Sequence, residues 1–158
     1  GFCFVMKNRI EAISILAESG ILSQIITELV NNNPISTSLA ESIANYPGTS
    51  SEALAILAKD KSWEVRYAVA GNSNTSPKIL AVLATDEYCV IRAQVGYNPN
   101  TLPETLEELT SDKEYWVREN VALNQKATPR VIAILAKDEN WLVRSMARKN
   151  PNFSNLLF

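Results

Sequence analysis

The stretch ILAKDKSWEVRYAVAGNSNTSP (56–77) returns as VLATDEYCVIRAQVGYNPNTLP (82–103), displaced by 26 residues with its chemistry in register. Working outward from that pair, Asp60, Asp86, Asp112 and Asp138 are the only four aspartates in the chain, each 26 residues from the next. In phase with them stand Arg66, Arg92, Arg118 and Arg144, then Asn72, Asn98, Asn124 and Asn150, then Leu57, Leu83, Leu109 and Leu135. Pro77, Pro103 and Pro129 keep the same spacing, and so do the aliphatic residues before each arginine, Val65, Ile91, Val117 and Val143. So many ladders in one register identify a repeat protein, whose units bury their apolar faces only by stacking on neighbours.

Each unit reads as two short helices. Helix A is expected near 51–59, 77–85, 103–111 and 129–137. Thr75 or Ser76 would cap it, Pro77 suits its first turn, and Ile79, Leu80 and Leu83 fall on one face. Thr49–Glu52 and Thr101–Glu104 also fit a capping box. Helix B is expected near 63–71, 89–97, 115–123 and 141–149, with inward stripes Val65/Val69, Ile91/Val95, Val117/Val121 and Val143/Ala147. The asparagine that follows is expected to end it in the left-handed conformation, and the NPN turns (98–100, 150–152) cannot continue a helix.

The fold class is therefore all-α: an α-solenoid of 26-residue helix pairs, one domain over 1–158. Residues 47–150 hold four repeats, 1–46 degenerate capping helices, and 151–158 a cap or a truncated fifth repeat. In the degenerate part IANYPGTS (43–50) aligns with VGYNPNTL (95–102). There Leu39 takes the Val65 position, Ala40 replaces the arginine and Pro34 the aspartate. AISILAESG (12–20) and LSQIITELV (22–30) look like two further helices. A chain that opens on Gly1 and stops partway through a helix-A pattern leaves open whether a longer parent protein continues it.

Composition narrows the chemistry. The 158 residues include no histidine, two cysteines and five glycines. No imidazole base, Ser–His pair or phosphate-cradling glycine loop can be built from them, and Cys3 and Cys89 cannot form a disulfide framework or a four-cysteine metal site. No catalytic residue, cofactor or metal is expected. The apolar runs ILAVLA (79–84) and VIAILA (131–136) are too short to span a bilayer, so a cytoplasmic protein without a membrane partner is expected. A net charge of −2 disfavours nucleic acid.

The D-x5-R unit with an aliphatic residue before the arginine resembles the HEAT-like repeat. The longer wording of 56–77, 82–103 and 134–152 is more similar to the leucine-rich repeat variant family, over about residues 39–152, while SDKEYWVRENVALN (111–124) keeps only the skeleton. The resemblance implies a right-handed superhelix of helix pairs, one helix partly 3₁₀, and a protein-binding or unassigned role. Some members carry an N-terminal cysteine cluster for an iron–sulfur centre; with Cys3 alone in that region, the cluster does not carry over. HEAT-like relatives also include pigment-attaching lyases and DNA-repair glycosylases, and no motif here selects either.

The aspartate, arginine and asparagine ladders are expected to be structural: carboxylates at the A–B turn, guanidinium groups bridging neighbouring units, amides satisfying turn backbone. Cys89 shares a slot with Trp63, Tyr115 and Trp141 and is expected to be a packed thiol. The candidate binding surface lies on helix B, turned away from Val65, at positions 64, 67, 68 and 71 of the first unit and their equivalents. Its occupants are Glu64, Tyr67 and Gly71, then Val90, Gln94 and Tyr97, then Trp116, Asn120 and Leu123, then Leu142, Met146 and Lys149. Such apolar variety suits a concave face that holds a protein or peptide, with the chain itself monomeric and non-enzymatic. The alternative is a nucleic-acid binder using the basic fourth unit (Lys126, Arg130, Lys137, Arg144, Arg148, Lys149), which follows an acidic third unit. Remoter still is a lyase-like enzyme using Glu104 and Glu108, one helical turn apart.

Overall fold

The computed structural model describes residues 36–156. The helices expected over 12–20 and 22–30, Pro34 and Cys3 lie outside them. The described residues form nine α-helices and no strand: α1 (Thr37–Asn45), α2 (Ser51–Leu57), α3 (Trp63–Gly71), α4 (Pro77–Leu83), α5 (Cys89–Tyr97), α6 (Pro103–Leu109), α7 (Tyr115–Leu123), α8 (Pro129–Leu135) and α9 (Trp141–Lys149). Nine-residue B helices (α1, α3, α5, α7, α9) alternate with seven-residue A helices (α2, α4, α6, α8). A 3₁₀ helix over Pro151–Leu156 then packs against α8 and α9. Every A and B helix is α, and among the described residues that last element is the only separate 3₁₀ helix.

The four full B helices occupy the expected ranges, whereas the A helices stop two residues early. Their last turns tighten through three-residue bonds such as Lys59 N to Ile56 O and Asp60 N to Leu57 O. The Asp60 carboxylate then accepts from Ser62 N and turns the chain into α3. Successive B helices pack on one another in a single row, and each A helix packs on the B helices that flank it. Val65, Val69, Ile91, Val95, Val117, Val121, Val143 and Ala147 are fully buried, as are Leu54, Leu80, Leu106 and Ile132 from the A helices. One continuous core runs the length of the array. The degenerate α1 differs: Leu39 stays 46% exposed, while Ala40, Ile43 and Ala44 are buried.

Between units the polar ladders take over. Asn98 Nδ2 donates to Ala70 O (2.7 Å) and Asn72 O (3.2 Å), and its Oδ1 accepts from Asn100 N (2.8 Å). Asn72, Asn124 and Asn150 repeat this with the carbonyls of Ala44, Gly96 and Ala122. Each asparagine thereby satisfies the end of the preceding B helix, which would otherwise bury orphan carbonyls. This corrects the left-handed expectation. Asn72, Asn98, Asn124 and Asn150 are extended, with φ between −63° and −72°, because the side chain makes the turn that a left-handed backbone would have made.

The capping boxes are corrected too. Ser50, Ser76 and Thr128 are the N-caps of α2, α4 and α8, and Leu102 precedes α6 without a side-chain cap. The buried hydroxyls of Thr49, Thr75 and Thr101 turn backwards instead, donating to Ile43 O, Val69 O and Val95 O in the preceding B helices.

Candidate functional site

The arginines emerge from the first turns of α3, α5, α7 and α9, and two units hold the guanidinium groups of Arg66, Arg92 and Arg118. Arg92 Nη1 donates to Asp86 O (2.8 Å) and Glu87 O (3.2 Å) in its own unit. Its Nε and Nη2 grip Asp112 of the next unit at 2.6 and 3.0 Å. Arg66 meets Asp86, and Arg118 meets Asp138, in the same bidentate way. Asp86, Asp112 and Asp138 use one oxygen to accept the backbone N–H two residues on.

Each arginine is held above its ordinary pKa chiefly by the hydrogen bond to its aspartate, against a desolvation that acts the other way. Burial works to raise the carboxyls of Asp112 and Asp138, but the arginine bonds, the backbone N–H and the nearby positive charges outweigh it and hold both below the ordinary value. With Nε and Nη2 on a carboxylate of the next unit and Nη1 on a carbonyl of their own, these three arginines bolt units together. Among the described residues the ladder pairs three arginines with three aspartates. Among the described residues no arginine grips the Asp60 carboxylate, Ala40 standing at that position, and Arg144 bonds the carbonyls of Asp138 and Glu139 but no carboxylate.

Of the candidate surface residues, Tyr67, Val90, Tyr97 and Leu123 are exposed, Tyr97 at 58%. Tyr97 and Leu123, equivalent positions of α5 and α7, line one groove of about 400 Å³ with Pro99, Gln125 and Lys126. The others sit deeper. Gln94, Trp116, Asn120, Leu142 and Met146 are half-buried, and Trp116 and Met146 pack against the core. The Gln94 amide covers Gly71, where an added Cβ would come within 2.9 Å of it. Asn120 Nδ2 turns back onto Trp116 O of its own helix (2.7 Å). Positions 68, 94, 120 and 146 thus fill the seam between units, and Ala68 is buried outright.

Sequence reading missed a different slot. Trp63, Tyr115 and Trp141, aligned with Cys89, begin their B helices and are exposed, Trp141 at 68%; only Cys89 packs against the core, as a half-buried free thiol. Trp63 stacks on Tyr88 of the next unit (centroids 6.1 Å, planes 25° apart) and meets Tyr67 edge-on at 6.5 Å. The Arg66 guanidinium lies 5.7 Å from the Tyr88 ring centroid. The available signal was position: a first-turn residue directly after a polar turn has the turn rather than a helix above it.

Elsewhere, α2 and α4 frame a groove of about 410 Å³ lined by Ala55, Lys59, Lys78 and Val82, and Glu104 and Glu108 are both exposed on α6. Among the described residues no three His, Cys, Asp or Glu side chains are grouped to hold a metal, and no helix is long and apolar enough to cross a membrane. Comparison of the chain with protein-family models, curated proteins and solved structures found no match.

Proposed function

We propose that the chain is a non-enzymatic scaffold, a right-handed solenoid of 26-residue pairs of the HEAT-like or leucine-rich-repeat-variant kind, which binds a protein or peptide along its B helices. The observation that carries this reading is the row of exposed aromatic and aliphatic side chains on successive B helices, Trp63, Tyr67, Val90, Tyr97, Tyr115, Leu123 and Trp141. Rigid aromatic side chains gain much contact area at little entropic cost, which is why they anchor interfaces. The closer packing of B helices on one another supports placing this row on the concave side of a curved array. A reducing, cytoplasmic setting suits the free Cys89 thiol.

The test is affinity capture with the wild-type chain and a Tyr97→Ser/Leu123→Ser variant whose melting curve is unchanged. Specific partners should be retained by the first and lost by the second. An identical catch would sink the reading. Salt-sensitive retention on duplex DNA, lost on substituting Arg148 and Lys149, would favour the nucleic-acid alternative.

A further inference from the structure

We propose that the groove between α5 and α7 receives the side-chain carboxamide of an asparagine or glutamine from a bound peptide. A second asparagine ladder runs beside the one that closes the B helices. Asn74 Nδ2 donates to Pro47 O (2.6 Å) and Thr49 O (3.4 Å), and Asn100 Nδ2 to Ser73 O (2.6 Å) and Thr75 O (3.2 Å). Asn152 Nδ2 does the same to Gln125 O (3.0 Å) and Ala127 O (2.8 Å). Each amide spans two carbonyls of the preceding turn. Between Asn100 and Asn152 the rung falls on Lys126, an exposed side chain that makes no hydrogen bond or ion pair among the described residues. The carbonyls that a rung asparagine would serve there are Pro99 O and Thr101 O. Neither accepts a hydrogen bond among the described residues, although Thr101 is fully buried. Acceptors left in this state gain when a donor arrives from outside.

The groove of about 400 Å³ lies at this missing rung, where Pro99 and Lys126 line it together with exposed Tyr97 and Leu123. Unpaired carbonyls call for an N–H donor. No carboxylate lines the groove and Lys126 stands in it, so an ammonium or guanidinium donor would be repelled. A neutral primary amide meets both demands. Its NH₂ takes the place of the absent rung on Pro99 O, and its oxygen accepts from the Lys126 ammonium. An apolar residue beside it in the peptide covers Tyr97 and Leu123. Because those two side chains belong to the surface proposed above, the inference rests on that peptide-binding reading and supplies the polar half of the recognition.

The test is NMR of the backbone carbonyl resonances as a peptide copying residues 150–154 (NPNFS), acetylated and N-methylamidated, is added. Saturable movement of the Pro99 carbonyl is expected, with that of Ser73, already bonded by Asn100, stationary as an internal reporter. The same peptide with both asparagines replaced by alanine should bind about tenfold more weakly. Lys126→Asn restores the rung, so it should raise the melting temperature and weaken the native peptide by about tenfold. The proposal is overturned if both peptides move Pro99 equally, or if neither does. It is equally overturned if Lys126→Asn binds the peptide unchanged or melts below the wild type. Partner capture that Tyr97→Ser/Leu123→Ser abolishes and Lys126→Asn leaves intact would overturn the carboxamide assignment alone, with the peptide-binding reading still standing.

Discussion

Replacing Arg92 by alanine is the sharpest probe of the ladder, because the chain contains its own control. The side chain is 10% exposed and that of Asp112 is 7% exposed. Alanine removes four hydrogen bonds and leaves the Asp112 carboxylate with only Glu114 N as a donor. Stranding one partner of a buried ion pair costs about 3–5 kcal/mol; at a turn that water can enter, the lower end, about 3 kcal/mol, is expected. For a domain of this size that lowers Tm by about 10 °C. Arg144→Ala loses two carbonyl bonds but strands no acid, so about 1 kcal/mol or less is expected.

Urea titrations followed by circular dichroism at neutral pH and at acid pH measure both. Asp112 is held below its ordinary 3.8 in the folded chain, so its contribution is complete above that value and fades as pH falls through the folded pKa. Wild type should therefore lose stability on acidification, and its advantage over Arg92→Ala should shrink. Equal costs for Arg92→Ala and Arg144→Ala, or a gap that persists in acid, would refute the stranded-carboxylate account.

Asn98→Asp keeps the acceptor for Asn100 N but sets a carboxylate against the carbonyls of Ala70 and Asn72; a loss of about 3 kcal/mol or more is expected, exceeding that of Asn98→Ala. A thermal melt milder than that of Asn98→Ala would contradict it. Ala122→Arg sets a long cation at a fully buried position of α7, and limited proteolysis should then cut between α7 and α9. Intact resistance would contradict the close packing at Ala122. Trp116→Ala should cost about 2–3 kcal/mol by chemical denaturation and Tyr97→Ala less than about 0.5, since only the first packs on the core. The reverse order would undo the assignment of Tyr97 to the surface.

By itself the amino-acid sequence determined the helical class, the B-helix boundaries and the buried stripes, because each follows from local periodicity and from what proline and the polar turns forbid. It could not decide what the ladder residues touch. A 26-residue spacing is equally consistent with an arginine meeting the aspartate six residues before it or twenty after it. The tertiary structure chose the latter: stacking of the B helices brings Asp112 to the Arg92 fork, while Asp86 offers Arg92 only its carbonyl. The threonines show the same limit. A Thr-x-x-Glu pattern looks like a cap at one unit's start, yet the Thr101 hydroxyl serves Val95 O in the helix before. The exposure of Trp63, Tyr115 and Trp141 was settled the same way, since a first-turn residue is covered or bare according to how neighbouring units stack, which no single unit encodes.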